Sequence, residues 1–346
     1  MDARKVRVGI IGGSGYVGGE LLRLLVQHPH VKVVAVSSQT YKKKTIARVH
    51  PNLRGVPLDR FIDPDDIPEV DVLFAALPHG VLMNQIDRLK SIAEKLIDLS
   101  ADFRLTNPVK YDNWYGLVHP RPALLSEFAY GMPEVHREEI REARYVSVPG
   151  CTATAAILPL KPLVNAFDVK LVVVDAKVGS SAGGASVSPA SHHPERSGVV
   201  RCYKPSRHRH IAEMVQELGL QEGSLNFSPH AVEMVRGILA TCHVFIEGDF
   251  TEQDVWQVYL KAYRDEPFIR LIKERAGIYR FPEPKLVAGT NYCDIGFEKD
   301  PLTGRLVVMA AIDNLMKGAA GQAVQCLNLM CDFPEDTGLQ ALALHP

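Results

Sequence analysis

Short continuous apolar runs and helically spaced apolar positions alternate along the first 150 residues. VRVGII (Val6–Ile11) has strand length, GGSGYVGG breaks it, ELLRLLVQH carries its leucines on a helical face, and VKVVAVSS returns to a strand. This predicts a β-α-β opening. Further strand-like runs at Asp71–Ala76 and Lys95–Leu99, with a helical pattern at Val81–Ile92 between them, extend the alternation. That order predicts a doubly wound parallel sheet of the Rossmann type. Asn107–Pro133 is rich in Pro, Tyr and Trp and poor in periodicity, which predicts loops and short helices over the sheet.

After the run Tyr145–Val148 the turn Pro149-Gly150-Cys151 leads into a helical stretch, Thr152–Phe167. The chain is expected to divide there, into a dinucleotide domain (1–150) and a catalytic, substrate and oligomerisation domain (151–314). Residues 315–346, with an alanine-rich amphipathic helix at Lys317–Leu329, complete the first domain. Beyond the boundary the strands lengthen (Lys170–Val178, Ile238–Glu247, Leu306–Ile312) and alternate with helices at His210–Leu218 and Glu252–Tyr263. A second α/β domain with a mixed sheet is expected. Gly179–Arg209 is rich in Ser, Gly and His and lacks periodicity, and irregular segments of that length usually carry function.

Composition narrows the classes. The 346 residues are 46% hydrophobic and 23% charged, with a formal net charge of -1, which supplies no global basic field for nucleic acid. No stretch approaches the roughly 20 apolar residues of a membrane span, and the start shows no secretory pattern, so a cytoplasmic protein is expected. The six cysteines are scattered and form no C-x-x-C pair, which argues against a disulfide framework or a zinc ribbon. Charge is concentrated locally instead. Lys42–Lys44 form one basic run, and Arg196, Arg201, Lys204, Arg207 and Arg209 form another.

The turn after the first strand offers Gly12, Gly13, Ser14, Gly15, Tyr16, Val17 and Gly18 to a dinucleotide. Its glycines permit the tight turn and close approach of pyrophosphate, and the helix start supplies N–H groups to it. At the end of the second strand, where an NAD site places a carboxylate, the chain has Ser37, Ser38 and Gln39. Without an acid to repel a 2′-phosphate, and with the lysine run beyond, NADP is favoured over NAD.

Cys151 starts a helix, where the dipole favours the reactive thiolate, whereas the other cysteines read as small buried hydrophobes. His208 and His210 open a later helix and are the candidate acid and base for a thiolate attacking a carbonyl. With His192 and His193 they form a weak zinc alternative, since no cysteine or carboxylate of suitable spacing accompanies them, and no metal is expected. Arg104, in LSADFRL, offers a planar fork for phosphate.

GGSGYVGGELLRLL, HPNLRG, ALPHG, DLSADFRL, PGC, HRH, RGILAT, GTNYCDIGF and AIDNLMKGAAGQAVQ together resemble the N-acetyl-γ-glutamyl-phosphate reductase family, from about Val6 to the C-terminus. The resemblance implies an NADP(H) domain completed by the C-terminal helix, Cys151 as nucleophile, and a homo-oligomer, a dimer or tetramer. It also implies His210 ahead of His208 as acid/base, Pro78 and Asn314 at the cofactor, and Ser180, Ser181, Arg201 and Lys204 with Arg104 at the substrate phosphate. Thr152-Ala153 stand where the arginine-pathway members usually have Tyr-Pro, and SPASHHPERSGVVRCYKPSRHRH is similar to the lysine-pathway branch. That branch implies an L-2-aminoadipyl 6-phosphate held by a small acidic amino-group carrier protein, with the glutamyl analogue as a further substrate. Thr-Ala leaves more room beside the nucleophile, and the basic loop suits an acidic partner.

Three rival readings stay in view. One is reduction of free N-acetyl-γ-glutamyl phosphate in arginine biosynthesis. Another is a Rossmann dehydrogenase without covalent catalysis, in which Cys151→Ser would stay active, and the last is an NADP-sensing binding protein. Thiol alkylation slowed by substrate is expected from neither of the last two.

Overall fold

The computed structural model describes residues 4–345, in two compact units: Met1–Pro149 with Ala319–Gln340, and Gly150–Gly318 with Ala341–Pro346. In the first unit the elements run β1 (Val6–Ile11), α1 (Tyr16–Leu25), β2 (Val31–Val36), α2 (Ile46–Val49), β3 (Val70–Ala75), α3 (Leu82–Ile92) and β4 (Ala93–Asp98). There follow α4 (Val109–Tyr115), β5 (Phe128–Tyr130), α5 (Pro133–Glu142) and β6 (Tyr145–Ser147). The strands form one parallel sheet in the order β2-β1-β3-β4-β6-β5. Val8, Ile10, Val72, Leu73, Phe74, Leu96 and Ile97 are at most 1% exposed, so both faces of the sheet are covered and the strands read as unbroken apolar runs. From β1 the chain adds β2 on one side and β3 on the other, which places the switch point of the sheet at the carboxyl ends of β1 and β3.

The last helix of this unit, α10 (Gly321–Met330), comes from the far end of the sequence and packs on α5, α1 and β4. The sequence predicted an amphipathic helix, but every residue of α10 is buried. Two of its three amide side chains are accommodated by hydrogen bonds: Asn328 donates to the carbonyls of Glu335 and Thr337 (2.9 Å each) and its Oδ1 meets His28 Nε2 at 2.9 Å, and Gln325 donates to Glu335 (2.7 Å), while the Gln322 amide is buried without a partner. Polar side chains satisfied in this way let a helix be buried on every face, which periodicity does not reveal.

The second unit runs α6 (Cys151–Ala166), β7 (Val169–Val178), α7 (His193–Arg196), β8 (Val200–Cys202), α8 (His210–Leu218), β9 (Leu225–Val232) and β10 (Ile238–Ile246). Then come α9 (Glu252–Tyr263), β11 (Ile269–Leu271), β12 (Cys293–Lys299) and β13 (Leu306–Ile312). The seven strands form a mixed sheet in the order β11-β12-β13-β10-β7-β9-β8. Val172, Val174, Ala176, Ala240, Cys242, Val244, Val308 and Ala310 face the helices at 0% exposure, while the alternate positions Val173, Thr241, His243 and Met309 are half-buried on the other face. The strands β9 and β12 escaped the apolar pattern because Pro229 and a series of polar residues interrupt them.

Helix α6 is the centre of this unit and carries Pro159 and Pro162 in its interior. Pro162 has no N–H to give the Leu158 carbonyl four residues earlier. The Tyr263 hydroxyl donates to that carbonyl instead (2.6 Å), and Tyr259 donates to the Pro159 carbonyl (2.6 Å). Two tyrosines of α9 thus hold a helix that would otherwise break behind its first turn.

Candidate functional site

The glycine turn is shaped by what would collide with side chains. A Cβ on Gly12, which has φ +78°, would lie 2.1 Å from the Ala76 carbonyl oxygen. On Gly13 it would meet Val36 at 2.2 Å, and on Gly18 it would meet the Gly12 carbonyl at 2.5 Å. These three glycines are demanded by strand–helix packing. Gly15, the N-cap of α1, differs: only the Gly12 carbonyl comes within 4 Å, at 3.7 Å. The space above Gly15 at the start of a ten-residue helix fits a pyrophosphate, the cradle a dinucleotide needs. His50, which the sequence reading passed over in HPNLRG, lies buried under the turn with its Nε2 2.8 Å from the Gly13 carbonyl oxygen.

At the end of β2, Ser37 and Ser38 are 0% and 1% exposed. The Ser38 hydroxyl is 2.8 Å from that of Ser14 and accepts from Tyr41 N–H, while Ser37 Oγ is buried without a hydrogen-bond partner. The side chains open to solvent here are Tyr16, Gln39 and, after β3, Pro78, while Val17 is half-buried. Lys42 is paired with Asp63 at 2.8 Å, so one lysine of the basic run is already matched by an acid.

Arg104 belongs to the first unit and is only 6% exposed. Its Nε donates to the Val148 carbonyl (2.8 Å) and its Nη2 to the Leu99 carbonyl (3.3 Å). The guanidinium thereby ties β4 to the strand exit that leads to Cys151, a use of the fork that sequence inspection could not distinguish from phosphate binding. Beside it Asp98 is fully buried, and desolvation, reinforced by Asp102, pushes its carboxyl up to about 7.

In the second unit Cys151 is the first residue of α6 and half-buried. Gly150 precedes it with an ordinary extended backbone, φ -68°, so the turn does not require glycine. His210 does: a Cβ at Gly150 would meet its ring at 2.5 Å. Gly318 is needed for a similar reason, since a Cβ there would lie 2.7 Å from Cys151 Cβ. His210 is 6% exposed, with Nδ1 2.5 Å from the Thr152 hydroxyl and Nε2 3.9 Å from Glu213 Oε1. Glu213, 0% exposed, also accepts from Gly150 N–H at 2.9 Å. Thr152 therefore does more than leave space: its hydroxyl orients the histidine. Glu213 was missed, although its place three residues after His210 on one helix face was a readable signal.

His208 accepts from the His210 N–H at 3.2 Å through Nδ1, and its ring stands edge-on to that of His210. Burial first, then Arg209 and Lys204, pulls its imidazole down to about 4, which makes it a neutral, weakly basic partner at pH 7.

These groups open into a cavity of about 430 Å³ in the second unit. Cys151, Thr152, His208 and His210 line one part, Ser180, Ser188 and Ser191 supply hydroxyls, and Arg196, Arg201 and Arg209 supply charge. Among the described residues no aspartate or glutamate lines it. Ser181 lies just behind, 7% exposed, with its hydroxyl accepting from the Asn314 amide at 2.9 Å, and Asn314 Oδ1 accepts from Gly237 N–H at 2.8 Å. Asn314, expected at the cofactor, thus has both ends of its amide engaged in bracing the Ser181 loop. Lys204 is exposed and does not line the cavity, whereas Tyr203 and Arg196, not assigned to the site from sequence, both do.

Two family descriptions match the chain: the NAD binding domain of semialdehyde dehydrogenases over residues 7–143, and their dimerisation domain over residues 151–314. The chain belongs to the semialdehyde dehydrogenase family and is an oxidoreductase with a nicotinamide-cofactor domain. Among its relatives, the LysW-L-2-aminoadipate 6-phosphate reductase of Deinococcus radiodurans is 46% identical, covering all of both chains. A Thermomicrobium roseum protein provisionally given the same name is 56% identical over 99% of each chain. A Pyrobaculum aerophilum protein provisionally named a LysW-L-2-aminoadipate/LysW-L-glutamate phosphate reductase is 50% identical, over 99% of this chain and all of that one. The fold matches aspartate semialdehyde dehydrogenase II from Vibrio cholerae, with a TM-score of 0.74, 16% identity and coverage of 95% and 99% of the two chains. It also matches the Candida albicans aspartate semialdehyde dehydrogenase solved with NADP, with a TM-score of 0.67, 16% identity and coverage of 94% and 98%. Among the described residues no helix is long and apolar enough to cross a membrane.

Proposed function

We propose that the protein reduces an acyl phosphate to a semialdehyde with NADPH, through a thioester on Cys151, and that its substrate is an L-2-aminoadipyl 6-phosphate carried by a small acidic protein. The observation that carries this reading is the acid-free, arginine-lined cavity into which Cys151 opens beside His210. A thiolate, a proton carrier and cations for a leaving phosphate are the parts the reaction needs. The names of the relatives supply the carrier-linked substrate, and they favour it over a free N-acetylated one.

In the reaction, Cys151 Sγ bonds to the acyl carbon, the carbon–oxygen bond to phosphate breaks, and phosphate leaves with that electron pair. Ser180, the Ser181 loop and Arg201 hold the departing group, with Arg209 beside them. The nicotinamide, when bound, supplies hydride to the thioester carbon. His210, oriented by Thr152, gives a proton as the thiohemiacetal forms and takes it back as the carbon–sulfur bond breaks to release the aldehyde. N–H groups in the first turn of α6 lie where the oxyanion develops.

NADPH is favoured because no carboxylate follows β2 and Lys43 and Lys44 lie just beyond. Gln39, which is exposed, is the position to test; Ser38 is buried, and a carboxylate there would cost folding energy whatever the cofactor. Gln39→Asp should lower the NADPH:NADH ratio of kcat/KM roughly tenfold. Copies of the chain pair through the half-buried face of the mixed sheet, in keeping with its family's dimerisation domain. The decisive assay is phosphate-dependent NADP reduction in the reverse direction. Carrier-attached aminoadipate semialdehyde should be the preferred substrate, and preference for free N-acetylglutamate semialdehyde would return the protein to arginine biosynthesis.

A further inference from the structure

Two loops leave the carboxyl ends of neighbouring strands in the first unit, and they are held in different ways. The segment after β4 is fixed throughout. Ser100, Ala101, Asp102 and Phe103 are at most 3% exposed, Asp98 accepts from Ser100 N–H at 2.7 Å, and the Phe103 ring stacks on Phe128 at 4.0 Å. The tip after β3, Pro78–Val81, stands in contrast. Pro78 and His79 are exposed, and Gly80 turns the chain at φ +82°, where a Cβ would meet nothing within 4 Å. Local bonds close this turn (Val81 N–H to the Pro78 carbonyl, 3.3 Å) and tie it to α3 (Asn84 amide to the Gly80 carbonyl, 2.7 Å). Three more run to the other loop. Asp102 accepts from Gly80 N–H through Oδ1 (2.7 Å) and from Met83 N–H through Oδ2 (3.0 Å), and His79 Nδ1 accepts from Ala101 N–H (3.0 Å). Both oxygens of a buried side chain are thus spent on holding an exposed tip.

The place of the tip in the sheet gives it a use. β2 and β3 lie on opposite sides of β1, and a dinucleotide spans such a sheet with one half on each side of the switch point. The adenosine half belongs to the end of β2, with Ser38 and Gln39, and the pyrophosphate to the start of α1. The nicotinamide half then falls on the side of β3, where the exposed tip stands. Capping of α3 does not account for Asp102. That helix begins at Leu82, so a cap explains the bond to Met83 but not the one to Gly80, which precedes the helix. We propose that Asp102 is a positioning residue of the cofactor site, which holds Pro78–Val81 where it bounds the nicotinamide half of the dinucleotide and leaves the adenosine half untouched. The residue type follows from the task. An acid accepts from two N–H groups at once, whereas an amide of the same shape accepts through one oxygen and turns its NH2 toward the second N–H.

The test compares, by titration calorimetry, the binding of NADP with that of 2′,5′-ADP, which carries the adenosine half without the nicotinamide. Asp102→Asn should weaken NADP on the order of tenfold, the loss of one charge-assisted hydrogen bond, and change 2′,5′-ADP less than about twofold. Gly80→Ala strains the positive φ of the tip without touching the buried loop, and it should give the same split. This second variant keeps the test decisive if Asp102→Asn folds poorly. Equal weakening of both ligands, or no change in either, would make Asp102 a purely structural cap and overturn the assignment. The probes rest on the NADPH reading, whose failure is distinguishable: the wild-type protein would then bind NAD and ADP more tightly than NADP and 2′,5′-ADP, and the same ratio would be read from that pair.

Discussion

The turn after β1 and the segment between β7 and α8 serve the two ends of the proposed reaction, and they are built in opposite ways. In the turn the backbone does the work. Gly12, Gly13 and Gly18 leave no room for a methyl group, His50 supports the loop from below, and the ligand's place above Gly15 is defined by absent side chains. In the second region the backbone turns through positive φ at Gly184, Gly198 and Arg207, but a Cβ at either glycine would meet nothing within 4 Å, and the side chains act: hydroxyls of Ser180 and Ser191, the guanidinium of Arg196, and imidazoles of His208 and His210. A site made of backbone tolerates no added atom but is indifferent to the substrate; a site made of side chains can change selectivity without losing the fold.

The largest effect should come where the two regions separate most cleanly. Cys151→Ala should lower kcat by about 10⁴-fold or more while dinucleotide affinity, measured by fluorescence titration, changes less than about twofold. Gly12→Ala should do the reverse kind of damage. The clash with the Ala76 carbonyl and the positive φ should cost roughly 2–4 kcal/mol of stability in thermal melts and weaken dinucleotide binding before any chemistry is affected. A Gly12→Ala protein with native melting and native cofactor affinity would remove the contrast.

The regions also respond oppositely to protons. Asp98, in the first unit, has a carboxyl raised to about 7, so the folded state holds its proton longer than the unfolded chain and stability is lost as pH rises from about 4 through 7. His208 is lowered to about 4, so the unfolded chain binds its proton first and stability is lost as pH falls from about 6.5 through 4. Each should contribute about 3–4 kcal/mol across its window. Denaturant melts of Asp98→Asn and His208→Gln should flatten the pH dependence in those separate ranges, and identical profiles for both variants would contradict the assignment.

The smallest expected effect concerns the exposed rim. Lys204 lies outside the cavity, so Lys204→Glu should raise KM for the carrier-linked substrate roughly three- to tenfold at low salt, through lost electrostatic steering, and leave a small aldehyde untouched. The difference should fade as salt rises past the ~8 Å screening length of physiological ionic strength. Equal losses on both substrates would confine the basic segment to the phosphate.

Strand-length apolar runs made the parallel sheet of the first unit readable because both of its faces are buried. The same logic hid β9 and β12, whose outward faces are polar, and misjudged α10, whose two glutamines and one asparagine are buried. In the site, Cys151 and the glycines were visible because helix starts and tight turns leave local signatures. Arg104 and Arg196 were not separable, since both are arginines in stretches of sequence without apolar periodicity. Only the structure shows that one has spent its fork on the carbonyls of Leu99 and Val148 while the other keeps a buried Nε unpaired. Glycines 150 and 318 likewise owe their identity to His210 and Cys151, contacts set by tertiary packing.

The central claim is covalent catalysis by Cys151, and the most direct measurement is mass spectrometry of the enzyme acid-quenched after incubation with the acyl phosphate and no reduced cofactor, where the thioester should accumulate. An adduct of the substrate's acyl mass on the peptide that contains Cys151, absent from Cys151→Ala, is the predicted result. Phosphate release with no adduct on any peptide, or an adduct on Cys202 or another cysteine instead, would contradict the account.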